Sequence, residues 1–285
     1  MSFIIHGATG AQGGPLYARM LASGHPTLAA VRDLAKLQDK PGIRINNESI
    51  DSLVSAYRNA EGVFVHLPQA GEPDRVQQAR TIVEAIKTAK PARVVISTSG
   101  MVVDQPGSNL QTPDDSALMT LIRGVAESGV SHAVVAPMLY LENLFLPMVF
   151  EPTQSEGVLR YPLGAEFPVS WSSHFDVAEV AQKLLTDHSV TGVVGIGHVP
   201  GLKGSDLSAG FSEQFGTTIR YEALNPVVFG EMIEPIIGPG TAGVVGFYQA
   251  LSQAPHMVIA QDTSAQALLG LQPRTVRAWL AEMLA

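Results

Sequence analysis

The stretch that decides the fold is Phe3-Ile4-Ile5-His6-Gly7-Ala8-Thr9-Gly10-Ala11-Gln12-Gly13-Gly14. A short apolar run feeds directly into glycines at 7, 10 and 13. Glycines at this spacing permit a tight strand-to-helix turn and let a diphosphate approach the backbone. The N–H groups that open the following helix then face the anion, and the helix dipole favours its charge. A turn that needs glycine for backbone reasons alone would give the same string. What argues for a nucleotide is the context, with an apolar strand before it, a helix after it and a βαβ unit around it.

Working outward, further Val/Ile-rich runs follow at Thr27–Val31, Ile43–Asn46, Gly62–Leu67, Arg93–Ser97 and His132–Ala136. They are continuous rather than alternating, which suits strands buried on both faces. Helical patterns lie between them near Gly14–Ser23, Asp51–Ala60, Pro73–Ala89 and Asp114–Ser128. This alternation predicts an α/β, Rossmann-like doubly wound parallel sheet. After Tyr140 the character changes. Glu151–Phe167 reads as irregular, Asp176–Asp187 as a helix and Gly192–His198 as a strand. Residues 201–285 read as two or three helices around a Gly/Pro-rich segment, closing with a helix over Pro273–Leu284 that has proline in its first turn. The expected division is a dinucleotide-binding domain over 1–150 and 173–200, and a smaller substrate lobe over 151–172 and 201–285.

The chain has 285 residues, no cysteine and a formal net charge of −8, with 46 % hydrophobic and 15 % charged residues. That composition supports a large buried core and excludes wholesale disorder. The lack of cysteine excludes disulfides, thiolate metal sites and a cysteine nucleophile. The acidic balance argues against direct nucleic-acid binding. The first residues lack the cationic start and long apolar core of a signal peptide, and no apolar run reaches the roughly 18 residues of a membrane span. A cytoplasmic protein without a membrane partner is the expectation. The eight histidines are scattered, without the pairing of a zinc site, so no metal is expected.

The second strand ends in Val31-Arg32-Asp33. An acid about 20 residues beyond the glycines would grip a ribose 2′-hydroxyl. Arg32 stands there instead, and a guanidinium suits a 2′-phosphate, so NADP(H) is favoured over NAD(H). The competing reading has Arg32 solvated, with Asp33 taking the hydroxyl.

These features, with Ser97-Thr98-Ser99-Gly100, Pro137-Met138-Leu139-Tyr140-Leu141-Glu142-Asn143, Phe175-Asp176-Val177-Ala178 and Pro273-Arg274-Thr275-Val276-Arg277-Ala278-Trp279-Leu280, resemble the NmrA-like family of atypical short-chain dehydrogenases. The likeness is to its quinone-reductase-like or triphenylmethane-reductase-like branch, and it spans nearly the whole chain. The family holds NADPH-dependent quinone and dye reductases, and also regulators that bind the dinucleotide without turnover. The resemblance implies cofactor contacts at Gly7, Thr9, Gly10, Gln12, Gly13, Arg32, Leu67, Ser97 and Thr98. Pro68 follows at the carboxyl edge of the sheet, and Pro137 and Met138 would flank the nicotinamide. Asn46-Asn47-Glu48 departs from the family's usual acidic pattern, which leaves the adenine contact open.

None of the tyrosines, at 17, 57, 140, 161, 221 and 248, has a lysine four residues later. The Tyr-x-x-x-Lys pair that lets a phenol shuttle a proton near neutral pH is therefore missing. Many NmrA-like members carry a lysine in the helix before the sixth strand, yet Asp114–Ser128 has Leu118 and no lysine. The quinone-reductase-like members lack it too. The expected function is an NADP-dependent oxidoreductase passing hydride to a small apolar conjugated acceptor such as a quinone, which needs little proton help. The alternative is a non-enzymatic NADP(H) sensor. The candidate catalytic groups are Tyr140, as a donor to the acceptor or as an amphipathic core residue, and His174, as an acid with a pKa near neutrality or as a packed histidine. Asp176 is expected to cap a helix. The aromatic residues Phe211, Phe215, Phe229, Phe247 and Tyr248, with Met232, either line a substrate pocket or form core. A homodimer is possible.

Overall fold

The computed structural model describes residues 1–285. In chain order it forms β1 (Phe3–His6), α1 (Gly13–Ala22), β2 (Thr27–Val31), β3 (Gly42–Arg44), α2 (Ile50–Tyr57), β4 (Gly62–Val65), α3 (Glu72–Ala89), β5 (Val94–Ser97), α4 (Ala117–Glu127) and β6 (His132–Pro137). It continues through β7 (Leu139–Tyr140), α5 (Pro147–Glu156), β8 (Val158–Tyr161), β9 (Trp171–Ser172), α6 (His174–Thr186) and β10 (Gly192–Ile196). The last elements are α7 (Gly204–Phe215), β11 (Arg220–Ala223), α8 (Pro226–Ile237), α9 (Thr241–Leu251), α10 (Ala265–Leu269) and α11 (Val276–Met283). No helix is long and apolar enough to cross a membrane.

Two compact units emerge. The first holds Met1–Pro137, His174–Gly195 and Asp262–Leu271, and the second holds Met138–Ser173, Ile196–Gln261 and Gln272–Ala285. The first contains a seven-stranded sheet in the order β10-β6-β5-β4-β1-β2-β3. Its pairings from β6 across to β3 are parallel. Strand order reverses between β1 and β4, the switch point where open α/β sheets take their ligands.

β1, β4 and β5 are buried along their whole length, as their unbroken apolar sequences require. On one face Ile4, Val63, Val65 and Ile96 join a core cluster with Leu53, Tyr57, Ile82, Ile86 and Leu121 from α2, α3 and α4. The opposite face is covered by α1 and α6, where Arg19 of α1 bridges to Glu179 at 3.0 Å and Gln182 at 2.6 Å on α6. Local chemistry sets the helix starts. Ser49 and Ser116 cap α2 and α4 through their hydroxyls, and α3 opens with proline beside Glu72 and Asp74, acids that suit a helix N-terminus.

The second unit is organised around aromatic side chains. Parallel β8 and β11 form one small sheet and parallel β7 and β9 another. Tyr161, Trp171, Phe229 and Tyr248 pack edge-on or tilted, with the Tyr161 and Tyr248 hydroxyls hydrogen-bonded. Phe150, Phe211 and Phe215 form a second ring cluster, against which Phe145 and Trp279 also pack. Phe211, Phe229 and Tyr248 are buried and serve as core.

Several expectations are corrected here. Of residues 151–167 only 162–167 are irregular, since α5 runs through Pro152, stops at the left-handed Gly157 and is followed by β8. Residues 201–285 hold five helices and a strand rather than two or three helices. The last helix starts after Thr275, whose hydroxyl accepts from the Ala278 N–H at 3.2 Å, so Pro273 lies ahead of the cap. Asp176 is the third residue of α6, buried in its first turn, rather than the cap. The first crossing between units falls at 137/138 instead of 150, because β7 leaves the large sheet to pair with β9. Residues 262–271 return to the first unit, where the Gly195 N–H donates to the Thr263 carbonyl at 2.9 Å.

Arg93 shows how tightly the sheet's lower edge is tied. It is fully buried, donating to the Leu184 carbonyl at 2.9 Å, the Ser131 hydroxyl at 2.8 Å and the Val190 carbonyl. Arg93→Met keeps the bulk but leaves the buried Leu184 carbonyl and the half-buried Ser131 and Val190 acceptors without this donor. It should cost about 2–4 kcal/mol in chemical denaturation, since each orphaned group carries its desolvation penalty.

Candidate functional site

The site begins where β1 ends. Gly7 takes the left-handed conformation (φ 65°) that turns the chain away from the sheet. The Gly10 N–H closes the turn on the Gly7 carbonyl at 2.8 Å. At Gly13 the start of α1 crosses so near the strand end that a Cβ would lie 2.3 Å from the Gly7 oxygen and 2.5 Å from that of His6. Only glycine fits. No acidic side chain stands in the first turn of α1, and no side chain caps it. Its N–H groups face an anion-favouring field.

A cavity of about 180 Å³ opens beside this turn, lined by His6, Gly7, Thr9, Ala30, Val31, Arg32, Asp33, Lys36, Ile45, Asn47, His66 and Pro68. Ala30, Val31 and Ile45 are buried and give it an apolar flank. Arg32 and Lys36 are exposed and bring two cations to its lining. Lys36 is brought round by a 3₁₀ turn over Leu34–Leu37, which Asp33 caps by accepting from the Ala35 N–H at 3.0 Å. Asp33 is thus engaged in shaping the turn. The Asn47 carbonyl oxygen is buried without a partner among the cavity-lining residues.

Behind the loop lies a polar cluster. The buried Gln12 accepts from the Ser97 hydroxyl at 2.6 Å and donates to Ser99 Oγ at 3.0 Å, and its amide nitrogen lies 3.4 Å from His66 Nε2. Ser99 Oγ lies 3.2 Å from the same ring nitrogen. Thr98 is buried with its hydroxyl unpartnered. Gln12, Ser97 and Ser99 therefore brace the turn against the ends of β4 and β5, and of the expected contacts Gly7, Thr9, Arg32 and Pro68 line the cavity itself. Leu67 is buried behind Pro68. Pro137 ends β6, and Met138 is buried as the first residue of the second unit.

The two candidate catalytic residues fall in different units. Tyr140 ends β7 in the second, half-buried and paired in register with Ser172. His174 opens α6 in the first. Burial, helped by His66, pushes its pKa down to about 4, so its ring is neutral at physiological pH. Of the two readings of His174, a near-neutral acid or a packed histidine, this lowered pKa favours the second. Lys36 and His66 were not singled out by sequence reasoning. A lysine four residues after Arg32 and a histidine at the end of an apolar strand were the available signals.

The family model for the NmrA-like family matches residues 2–265. The chain belongs to the NmrA-like family. Among solved structures, this NmrA-like chain is similar to triphenylmethane reductase from Citrobacter sp., with a TM-score of 0.81 at 15 % identity over 100 % of both chains. It is also similar to a nucleoside-diphosphate-sugar epimerase from Staphylococcus aureus, with a TM-score of 0.78 at 21 % identity over 98 % of this chain and 99 % of that one. An NADPH-dependent quinone oxidoreductase from Escherichia coli, complexed with NADPH, gives 0.75 at 18 % identity over 99 % and 100 %. No curated protein matches the sequence. At these identities the likeness establishes the fold.

The turn also carries a titration signature. His6 is wholly buried, lies 2.7 Å from the Tyr57 hydroxyl through Nε2, and has a pKa lowered from 6.5 to about 4 by burial and then by His66. Its neutral form stabilises the fold above pH 6.5, and that contribution is lost as pH falls toward 4. The unfolding free energy should drop across that window by a few kcal/mol. His6→Gln, which keeps an acceptor for Tyr57 without titrating, should reduce the slope in urea titrations at stepped pH, the remainder coming from His174 and His66.

Proposed function

We propose that this NmrA-like protein is an NADP(H)-dependent reductase that passes hydride to a small, apolar, conjugated acceptor such as a quinone. The observation that carries the cofactor choice is the placing of Arg32 and Lys36 on the cavity that Gly7 and Thr9 also line, with the Asp33 carboxylate committed to capping the turn between them. Two cations on the cavity suit a 2′-phosphate, whose charge a neutral ribose hydroxyl lacks, and one oxygen of the neighbouring Asp33 carboxylate is taken up by the Ala35 N–H. The donor set fits the group. The start of α1 meets the diphosphate, Ala30, Val31 and Ile45 offer an apolar flank for the adenine, and the unpartnered Asn47 oxygen offers that base an acceptor.

When bound, the cofactor supplies the hydride, and the chain's own residues bind and orient it. No Tyr-x-x-x-Lys pair is present, which turns the reading away from alcohols and toward acceptors that take hydride and draw their proton from water. Crystallised relatives of the same fold include a triphenylmethane reductase complexed with NADP(H) and an NADPH-dependent quinone oxidoreductase, which supports this choice. Tyr140 is the residue proposed to donate a hydrogen bond to the acceptor. His174, neutral at physiological pH, is proposed as a packing or hydrogen-bonding group rather than a charged acid.

Steady NADPH consumption with a panel of quinones tests the reaction. Turnover supports the reductase, and tight NADPH binding without turnover assigns the chain to signalling instead. Arg32→Ala should weaken NADPH by about tenfold to a hundredfold, the loss of one charge-assisted phosphate contact, while NADH changes little in calorimetry. Equal losses for both would remove Arg32 from the 2′-phosphate.

A further inference from the structure

We infer that His66 donates a hydrogen bond from Nδ1–H to the cofactor's diphosphate, held in that tautomer by the Gln12 amide. The inference rests on the cofactor reading above and adds a ligand contact by a side chain from the end of β4.

The geometry works through a chain of donors. The Ser97 hydroxyl accepts from the Ser99 N–H at 3.2 Å, so its own proton is free to go to Gln12 Oε1, 2.6 Å away. That contact orients the amide. Its NH₂ group then faces Ser99 Oγ at 3.0 Å and His66 Nε2 at 3.4 Å. The Gln12 NH₂ thus sets Nε2 as the acceptor nitrogen, and the Ser99 hydroxyl, 3.2 Å away and already accepting from that amide, has its own proton to give to the same nitrogen. The ring proton is left on Nδ1. That edge of the ring lies at the turn, where a Cβ on Gly7 would be 3.4 Å from Nδ1, and His66 lines the same cavity as Gly7 and Thr9.

The surroundings keep the ring neutral. A second proton would sit on Nε2, against the amide NH₂ of Gln12. Arg75 on α3 opposes a positive charge on His66, and the neighbouring His6 at the end of β1 and His174 at the start of α6, each lowered to about 4 by burial and then by His66, stay neutral beside it. Burial adds to this and lowers the pKa of His66. Charge for the diphosphate comes from the helix dipole, and His66 contributes direction.

The test combines a spectrum with three variants. Side-chain ¹⁵N spectra of the full-length protein at neutral pH should show His66 protonated on Nδ1 and bare on Nε2. By calorimetry with NADPH, His66→Asn, whose amide nitrogen reaches the Nδ1 position, should stay within about threefold of wild type. His66→Gln, which reaches the Nε2 position, and His66→Leu should weaken binding about tenfold, one hydrogen bond's worth. An Nε2–H or doubly protonated ring overturns the inference. So does a His66→Leu protein that binds as tightly as wild type, or a Gln variant that outperforms Asn. Melting curves establish that each variant is folded, and if the Leu protein is not, the Asn–Gln contrast and the spectrum decide. Wild-type protein that binds NADPH alongside an indifferent His66→Leu sinks only the role of His66, whereas wild-type protein that binds no NADPH sinks the cofactor reading with it.

Discussion

The approach of Gly13 to the Gly7 carbonyl is the constraint on which the rest of the first unit depends. With 2.3 Å between that oxygen and any Cβ at position 13, the helix can start directly against the strand end only because the side chain is a hydrogen atom. That closeness brings the open N–H groups of α1 to the carboxyl edge of the sheet. It also turns Gln12 inward, where its amide ties the loop to Ser97 and Ser99. A loop braced this way meets a ligand with little left to reorganise, which is how preorganised donors gain their effect.

The second layer of control is electrostatic and lies in the same cavity lining. Arg32 and Lys36 are exposed, so their attraction for a phosphate is screened by salt. Their arrangement is set locally. The capping bond from Asp33 closes the 3₁₀ turn that carries Lys36 round to the arginine's cavity. One acidic residue thereby helps to bring two cations onto a single cavity.

Much of the first unit was legible because its signals are strong and local. Phe3–His6 and Thr27–Val31 coincide with their strands, since each apolar run is bounded by glycine, proline or charge and buried on both faces. Strand ends were less legible where apolar residues outlast the ladder. Leu67 and Ile45 are buried but lie beyond β4 and β3. The second unit was obscured by proline. Pro152 and Pro235 lie inside α5 and α8, positions that read as breaks although tertiary packing carries the helices through. In the site, the glycines and Arg32 announced themselves by spacing. Lys36 depends on a tight turn, and His66 on contacts 54 and 33 residues distant in the chain with Gln12 and Ser99. No local pattern encodes either.

The way the two units share the chain has a consequence for how the protein is made. Each consists of three separate segments, and the first recovers Asp262–Leu271 only near the end of the polypeptide. On the ribosome, β10 emerges long before the Thr263 carbonyl that binds Gly195. The nascent sheet must therefore wait with that edge open while the intervening segment Ile196–Gln261 is synthesised, a matter of seconds. No single cut in the gene separates one unit from the other, so neither could have been acquired, lost or exchanged as a simple cassette.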